Sequence, residues 1–191
     1  MDVQGARAGL LAAERLARIG RIEIGPGLTA TEFAHIEHRF DFEFADDHRA
    51  FLAAGLPVWA AGRDDDPNKA SWGWPDWRDV ESDTLHQQVN WPVDCIHQYI
   101  AEGCWPTGWG KRPKTPDLVM AKTQRLLADV PRLIPVYSHR YLPAGSGTSG
   151  HPVLSVHSLS DTIVYGVNLE DYVVQEFHEP EVTVAFWRDC L

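Results

Sequence analysis

Cysteine is scarce in this 191-residue chain: three residues, an odd number, cannot build the disulfide framework on which small secreted scaffolds depend. The count suits a reducing compartment, so a cytoplasmic protein is expected. Cys95 and Cys104 lie nine residues apart on what reads as one helix, too far to bridge. Long apolar runs are missing as well. The uncharged stretch that directly follows Arg7, Ala8 to Ala13, is six residues, too short for a signal-peptide core. Nothing approaches the ~18 apolar residues of a membrane helix. Positive charge is the third shortage. Seventeen Lys and Arg against 27 Asp and Glu leave a net charge of −10 and a pI near 5.3, the wrong sign for a nucleic-acid partner. What remains is 44% hydrophobic and 23% charged, an ordinary globular composition, and the length fits one domain with its own core.

The pattern of residues predicts an α+β fold, helix-rich in its N-terminal half and strand-rich in its C-terminal half, with a mainly antiparallel sheet flanked by helices. Residues 1–27 read as a helix from Arg7 to Ile19, stopped by Gly20, then a short strand over Arg21–Ile24. Residues 28–191 read as the main unit. Thr29 and Glu32 form a capping-box pattern for a helix with Phe33, Ile36 and Phe40 inward. Asp46 is the expected cap of a third helix ending at Gly55. Prolines and glycines from Leu56 to Pro113 predict loops and short helices, the best over Cys95–Glu102, and Thr115-Pro116 opens a longer one. Leu133–Tyr137, Val153–His157 and Thr162–Tyr165 read as strands, Asn168 caps a helix to Phe177, and Glu181–Trp187 reads as extended.

Recognisable catalytic and metal-binding patterns are missing from this frame. Asp64-Asp65-Asp66 with Asn68 begins like a calcium loop, but Lys69 replaces the turn glycine and Pro75 the bidentate glutamate. Glu32, His35 and His38 supply one Glu-x-x-His step where a carboxylate-bridged metal centre needs two. Cys95, Cys104 and His97 lack zinc-site spacing. The Gly145–His151 run is neither a nucleophile elbow nor a phosphate loop, and a mobile hairpin loop explains it. No catalytic residue, metal or cofactor is expected, and a binding protein is.

Two features could carry binding. Seven of eight tryptophans fall between Trp59 and Trp109, and Trp72, Trp74, Pro75, Asp76, Trp77 and Arg78 share one loop. Those indoles read as core, as an interface in which Trp and Arg act as hot spots, or as platforms for a sugar. The second feature is acidic. No Lys or Arg occurs from Tyr141 to Trp187, a span holding Asp161, Glu170, Asp171, Glu176, Glu179 and Glu181. It reads as a solvated face or as a docking surface for a basic protein. A small-ligand or carbohydrate binder would instead combine the indoles with His139, Arg140 and Tyr141.

Leu28–Phe40 followed by Phe42–Leu52 resembles the entry region of the SUKH superfamily, with Glu32 or Glu37 in the place of its motif glutamate. Ala45 stands where that family has proline, and Ala54–Pro57 replaces its Asn-Gly-Gly. Pro75–Arg78, Ile134–Pro143, Pro152–Val156, Asp161–Gly166 and Asn168–Phe177 look like an actinobacterial-type branch of the same group. The resemblance implies a single α+β binding scaffold without catalysis. Its usual role in bacteria is immunity, the neutralisation of a cognate toxin, and a basic toxin would suit an acidic scaffold.

Overall fold

The computed structural model describes residues 2–20, 22–58 and 72–177. Trp59, the Asp64–Asp66 run, Glu179 and the segment Glu181–Trp187 lie outside those residues. The fold is α+β as expected, with six α-helices and two antiparallel sheets among the described residues. The helices are α1 (Val3–Ile19), α2 (Ala30–Phe40), α3 (Asp46–Ala54), α4 (Asp83–Ala101), α5 (Pro116–Ala128) and α6 (Leu169–Phe177). Strands β1 (Glu23–Gly25) and β2 (Leu56–Val58) form a small pair. Strands β3 (Leu133–Tyr137), β4 (Arg140–Pro143), β5 (Val153–Ser158) and β6 (Asp161–Gly166) form a meander in sequence order.

Local signals place several elements. Asp2 caps α1 by accepting from the Gly5 N–H (3.2 Å), so the helix starts four residues before the apolar periodicity announces it. The Thr29–Glu32 capping box closes reciprocally, as its spacing predicts. Asn168 caps α6 through the Asp171 N–H (2.9 Å). α3 departs from expectation. It begins at Asp46, whose carboxylate reaches across to other segments instead of capping its own helix.

The largest departure is α4, one continuous helix of 19 residues where loops and a short helix were expected. Pro92 sits inside it. Proline has no N–H for the carbonyl four residues back, so the Gln88 C=O loses its helical partner. The Tyr141 hydroxyl donates to that carbonyl instead (3.0 Å). The Gln88 amide then ties the helix to the Gly73 and Ser138 carbonyls (3.2 and 3.1 Å). A helix that local sequence would break is therefore completed by a residue 53 positions away.

Tyr141 points to the α4 side of the meander, where Cys95, Val156, Trp91 and Leu154 pack with it. The other face carries Ile134, Val136, Leu142 and Val153 into the main core beneath α1, α3 and α6. Gly9 lets α1 and α3 meet backbone to backbone. A Cβ there would lie 2.1 Å from the Asp47 carbonyl oxygen, so any side chain forces the two helices apart.

Candidate functional site

The tryptophan loop sorts itself by polarity. Trp77 is 1% exposed and sits among Phe40, Phe42 and Phe44, with ring centroids 5.2–6.5 Å away. Trp74 is buried, 4.8 Å from Tyr137 and 5.2 Å from Phe177. Trp72 is half-buried edge-on to Trp91, and Pro75 is buried. Of the three readings for these indoles, core packing is the one seen for Trp74 and Trp77. Asp76 is exposed and folds its Oδ1 back on the Arg78 N–H (3.1 Å). Arg78 bridges Glu32 (2.7 Å) and the Pro26 and Gly27 carbonyls (3.0 and 3.2 Å), fastening the loop to the start of α2. Glu32, an acceptor for the Thr29 N–H and for Arg78, is held down at about 2.

The residues of the β3–β4 hairpin are also built into the fold. Arg140 is buried, with its guanidinium 3.9 Å over the Tyr165 ring, 3.2 Å from Glu176 and 3.0 Å from the Ser155 hydroxyl. Tyr141 serves Pro92 as described. His139 is partly buried, its Nδ1 3.0 Å from Ser138 Oγ and its ring 5.5 Å from His157. Burial first, then the neighbouring Arg140 and His157, lower its pKa to about 4. Ser138 is itself buried and sits at φ +50° in the two-residue turn, so its contact with His139 shapes the hairpin.

The C-terminal acids are tied down too. Glu170 pairs with Arg15 on α1 (2.6 Å), and Glu176 pairs with Arg140. Asp171 accepts from the Val167 N–H and the Gln175 amide (2.9 and 2.6 Å). Each carboxylate in this group fastens α6 to its surroundings or shapes its first turn.

A second group of polar side chains lies at the start of α3, where Asp46, Asp47 and His48 are all buried. Asp46 accepts from the Gly147 N–H (3.2 Å) and from the Asp2 N–H; Asp47 accepts from the Gly150 N–H (2.8 Å). The Asp46 N–H donates to the Thr148 carbonyl (2.8 Å). The glycine-rich run expected to be a mobile loop is instead clamped to the N-terminal ends of α1 and α3. Burial raises the Asp47 pKa against the pull of the Gly150 and His48 N–H groups. For Asp46, burial pushes the same way, but the Asp2 and Gly147 N–H groups outweigh it and the pKa is lowered.

His48 stands edge-on to Phe44 (5.2 Å), its Nε2 without a hydrogen-bond partner among the described residues. Burial alone drives its pKa down to about 3. A lowered folded pKa stabilises the fold above the unfolded value, ~6.5, and that contribution is lost as pH falls towards 3. We predict that His48 costs the fold about 2 kcal/mol between pH 7 and pH 5. Urea unfolding of wild type and His48→Leu at both pH values checks this. The loss on acidification should be smaller in the variant by about that amount, and equal losses would refute it.

Carboxylates reach solvent together on the segment that runs from Asp76, at the end of the tryptophan loop, into α4. Between Asp76 and Asp83 the chain carries Asp76, Asp79, Glu81 and Asp83, all exposed. Successive turns, Asp79 N–H to Asp76 O (3.1 Å) and Ser82 N–H to Asp79 O (3.0 Å), display them along a ridge. Trp77 anchors the ridge beneath, and Arg39 joins Glu81 to the end of α2 (3.0 Å). Exposed Asp41 and Glu43 follow that helix end. Asp41, Glu43, Asp76, Asp79 and Asp83 have no ion-pair partner among the described residues. The sequence signal of the ridge is four acids in eight residues, in a stretch where the tryptophans are the more conspicuous feature.

Among the described residues no three His, Cys, Asp or Glu side chains converge as metal ligands, and no helix is long and apolar enough to cross a membrane. No protein-family model, curated protein or solved structure matches this chain.

Proposed function

We propose that this chain is a non-catalytic cytoplasmic protein-binding module of the SUKH immunity or regulatory kind, and that it captures a basic partner, such as a toxin, on the Asp41–Glu43 and Asp76–Asp83 ridge. The observation that carries this reading is the ridge itself: five exposed carboxylates with no ion-pair partner among the described residues, on a rim fixed from below by Trp77. Such a rim attracts a basic surface and speeds its encounter. The polar groups that could otherwise suggest chemistry hold the fold together. Arg140, Glu176, Asp46 and Asp47 all have intramolecular partners, as do the two glutamates of the SUKH-like motif. Glu32 binds Arg78, and Glu37 binds Arg49 (2.6 Å) and the Phe44 N–H (3.2 Å). The free thiols Cys95 and Cys104 agree with a reducing compartment.

The carbohydrate reading loses its principal platforms, because Trp74 and Trp77 face inward. The docking reading predicts strong salt dependence, since exposed charges are screened within ~10 Å at 0.1 M salt. Capture from a lysate of the native organism should retain a basic protein at low salt and release it near ~0.5 M salt. A partner held equally at both would contradict an electrostatic rim.

A further inference from the structure

The cations of this acidic protein are unevenly matched. Arg15, Arg18, Arg39, Arg49, Arg78 and Arg140 each pair with a carboxylate. Lys111, Arg112, Lys114, Lys122 and Arg125 have no carboxylate within ion-pair distance among the described residues. Ten net negative charges make that mismatch hard to assign to a shortage of acids.

Lys111, Arg112 and Lys114 also sit just ahead of the N-terminus of α5, the positive end of its dipole, where a cation is electrostatically misplaced. Thr115 provides no side-chain cap there. The segment is nonetheless held in place. Trp105 donates to the Gly110 carbonyl (2.7 Å), and Lys122 lies 5.3 Å over its ring while donating to the Lys111 carbonyl (3.0 Å). Arg112 reaches back toward the Ile100 carbonyl (3.5 Å), and the Lys114 ammonium has no acceptor among the described residues.

Between the end of α4 and the start of α5 this arrangement leaves a half-open cleft of about 300 Å³. Arg112 and Lys114 stand on its wall, and Ile100, Pro113, Val119 and Met120 supply an apolar lining. The volume lies at the small end of ligand pockets. Cations with no ion-pair partner among the described residues, beside an apolar lining, fit a small anion carried on a short apolar body, and a carboxylate is the simplest such group.

We infer that the α4–α5 cleft is a binding site for a small apolar carboxylic acid in its ionised form. The carboxylate takes the place of the missing counter-ion at Arg112 and Lys114 near the helix end, and the tail lies along Val119 and Met120. This site is separate from the acidic ridge and does not depend on it.

Amide chemical-shift titration of the full chain tests it, with octanoate, 1-octanol (tail without charge) and acetate (charge without tail) as probes. Octanoate should bind about tenfold or more tighter than either control. Its shifts should centre on residues 100–101 and 112–120. Arg112→Gln/Lys114→Gln, at two exposed positions, should fold as wild type and weaken octanoate about tenfold while leaving 1-octanol unchanged. Equal binding of octanoate and octanol, shifts centred elsewhere, an unaffected variant, or no saturable binding would each overturn the assignment.

Discussion

Replacing Trp77 by alanine should cost the fold about 3–5 kcal/mol. The indole is 1% exposed and meets three phenylalanines of α2 and the α2–α3 connection, all edge-on at 5.2–6.5 Å. Truncation removes that apolar contact and leaves a cavity walled by rings that α2 holds in place. For a chain of this length the loss corresponds to roughly 10 °C in melting temperature. Asp76→Asn, one residue away but exposed, should shift the melting temperature by no more than about 2 °C. Thermal unfolding of both variants checks the contrast. A stable Trp77→Ala protein would return the indole to the list of interface residues and remove the rigid base beneath the acidic ridge.

The second large effect belongs to Arg140 and Glu176. The two side chains are 11% and 18% exposed, 3.2 Å apart, and the guanidinium also covers Tyr165 and bonds Ser155. Removing one partner strands the other charge in a largely dry setting, so Arg140→Met should destabilise by about 3 kcal/mol or more. Removing both is a different matter. In Arg140→Met/Glu176→Leu no charge is left to desolvate, and most of the lost stability should return. A double-mutant cycle by urea unfolding measures the coupling. Additive single effects would show that the pair contributes little and that Arg140 acts through its packing on Tyr165 alone.

These two predictions also mark what a sequence can and cannot disclose about this fold. The capping box of α2 and the Asn168 cap of α6 are local, three residues from cap to partner, and their residue types announce them. The long α4 is not local. Pro92 reads as a break because proline removes a helical hydrogen bond, and nothing near it reveals that Tyr141 supplies the replacement. β4 is hidden for a related reason. His139, Arg140 and Tyr141 read as polar contacts, but the latter two are buried by partners 36 and 53 residues distant. Asp46 and Asp47 carry the same lesson, since the glycine-rich loop they hold lies about a hundred residues further along.

The candidate site was half legible. A loop dense in tryptophan, aspartate and arginine attracts attention, but composition does not say which side chains turn inward. Folding divides the segment by the cost of exposing each group. Trp74, Pro75 and Trp77 go to the core, and Asp76, Asp79, Glu81 and Asp83 go to water. The acids near the C-terminus are the converse case. Their excess over bases in sequence suggested a free face, but Arg15 and Arg140, both distant in the chain, neutralise Glu170 and Glu176.

The proposed docking function requires the acidic ridge, not α6, to be the surface that a basic partner would meet. The decisive measurement is a parallel capture from native lysate, at low salt, with three baits: wild type, Asp76→Asn/Asp79→Asn/Asp83→Asn, and Glu170→Gln. The ridge account predicts that wild type and Glu170→Gln retain the same basic protein and that the triple variant, folded as judged by an unchanged melting temperature, loses it. Retention by the triple variant with loss in Glu170→Gln would contradict it and move the docking face to α6.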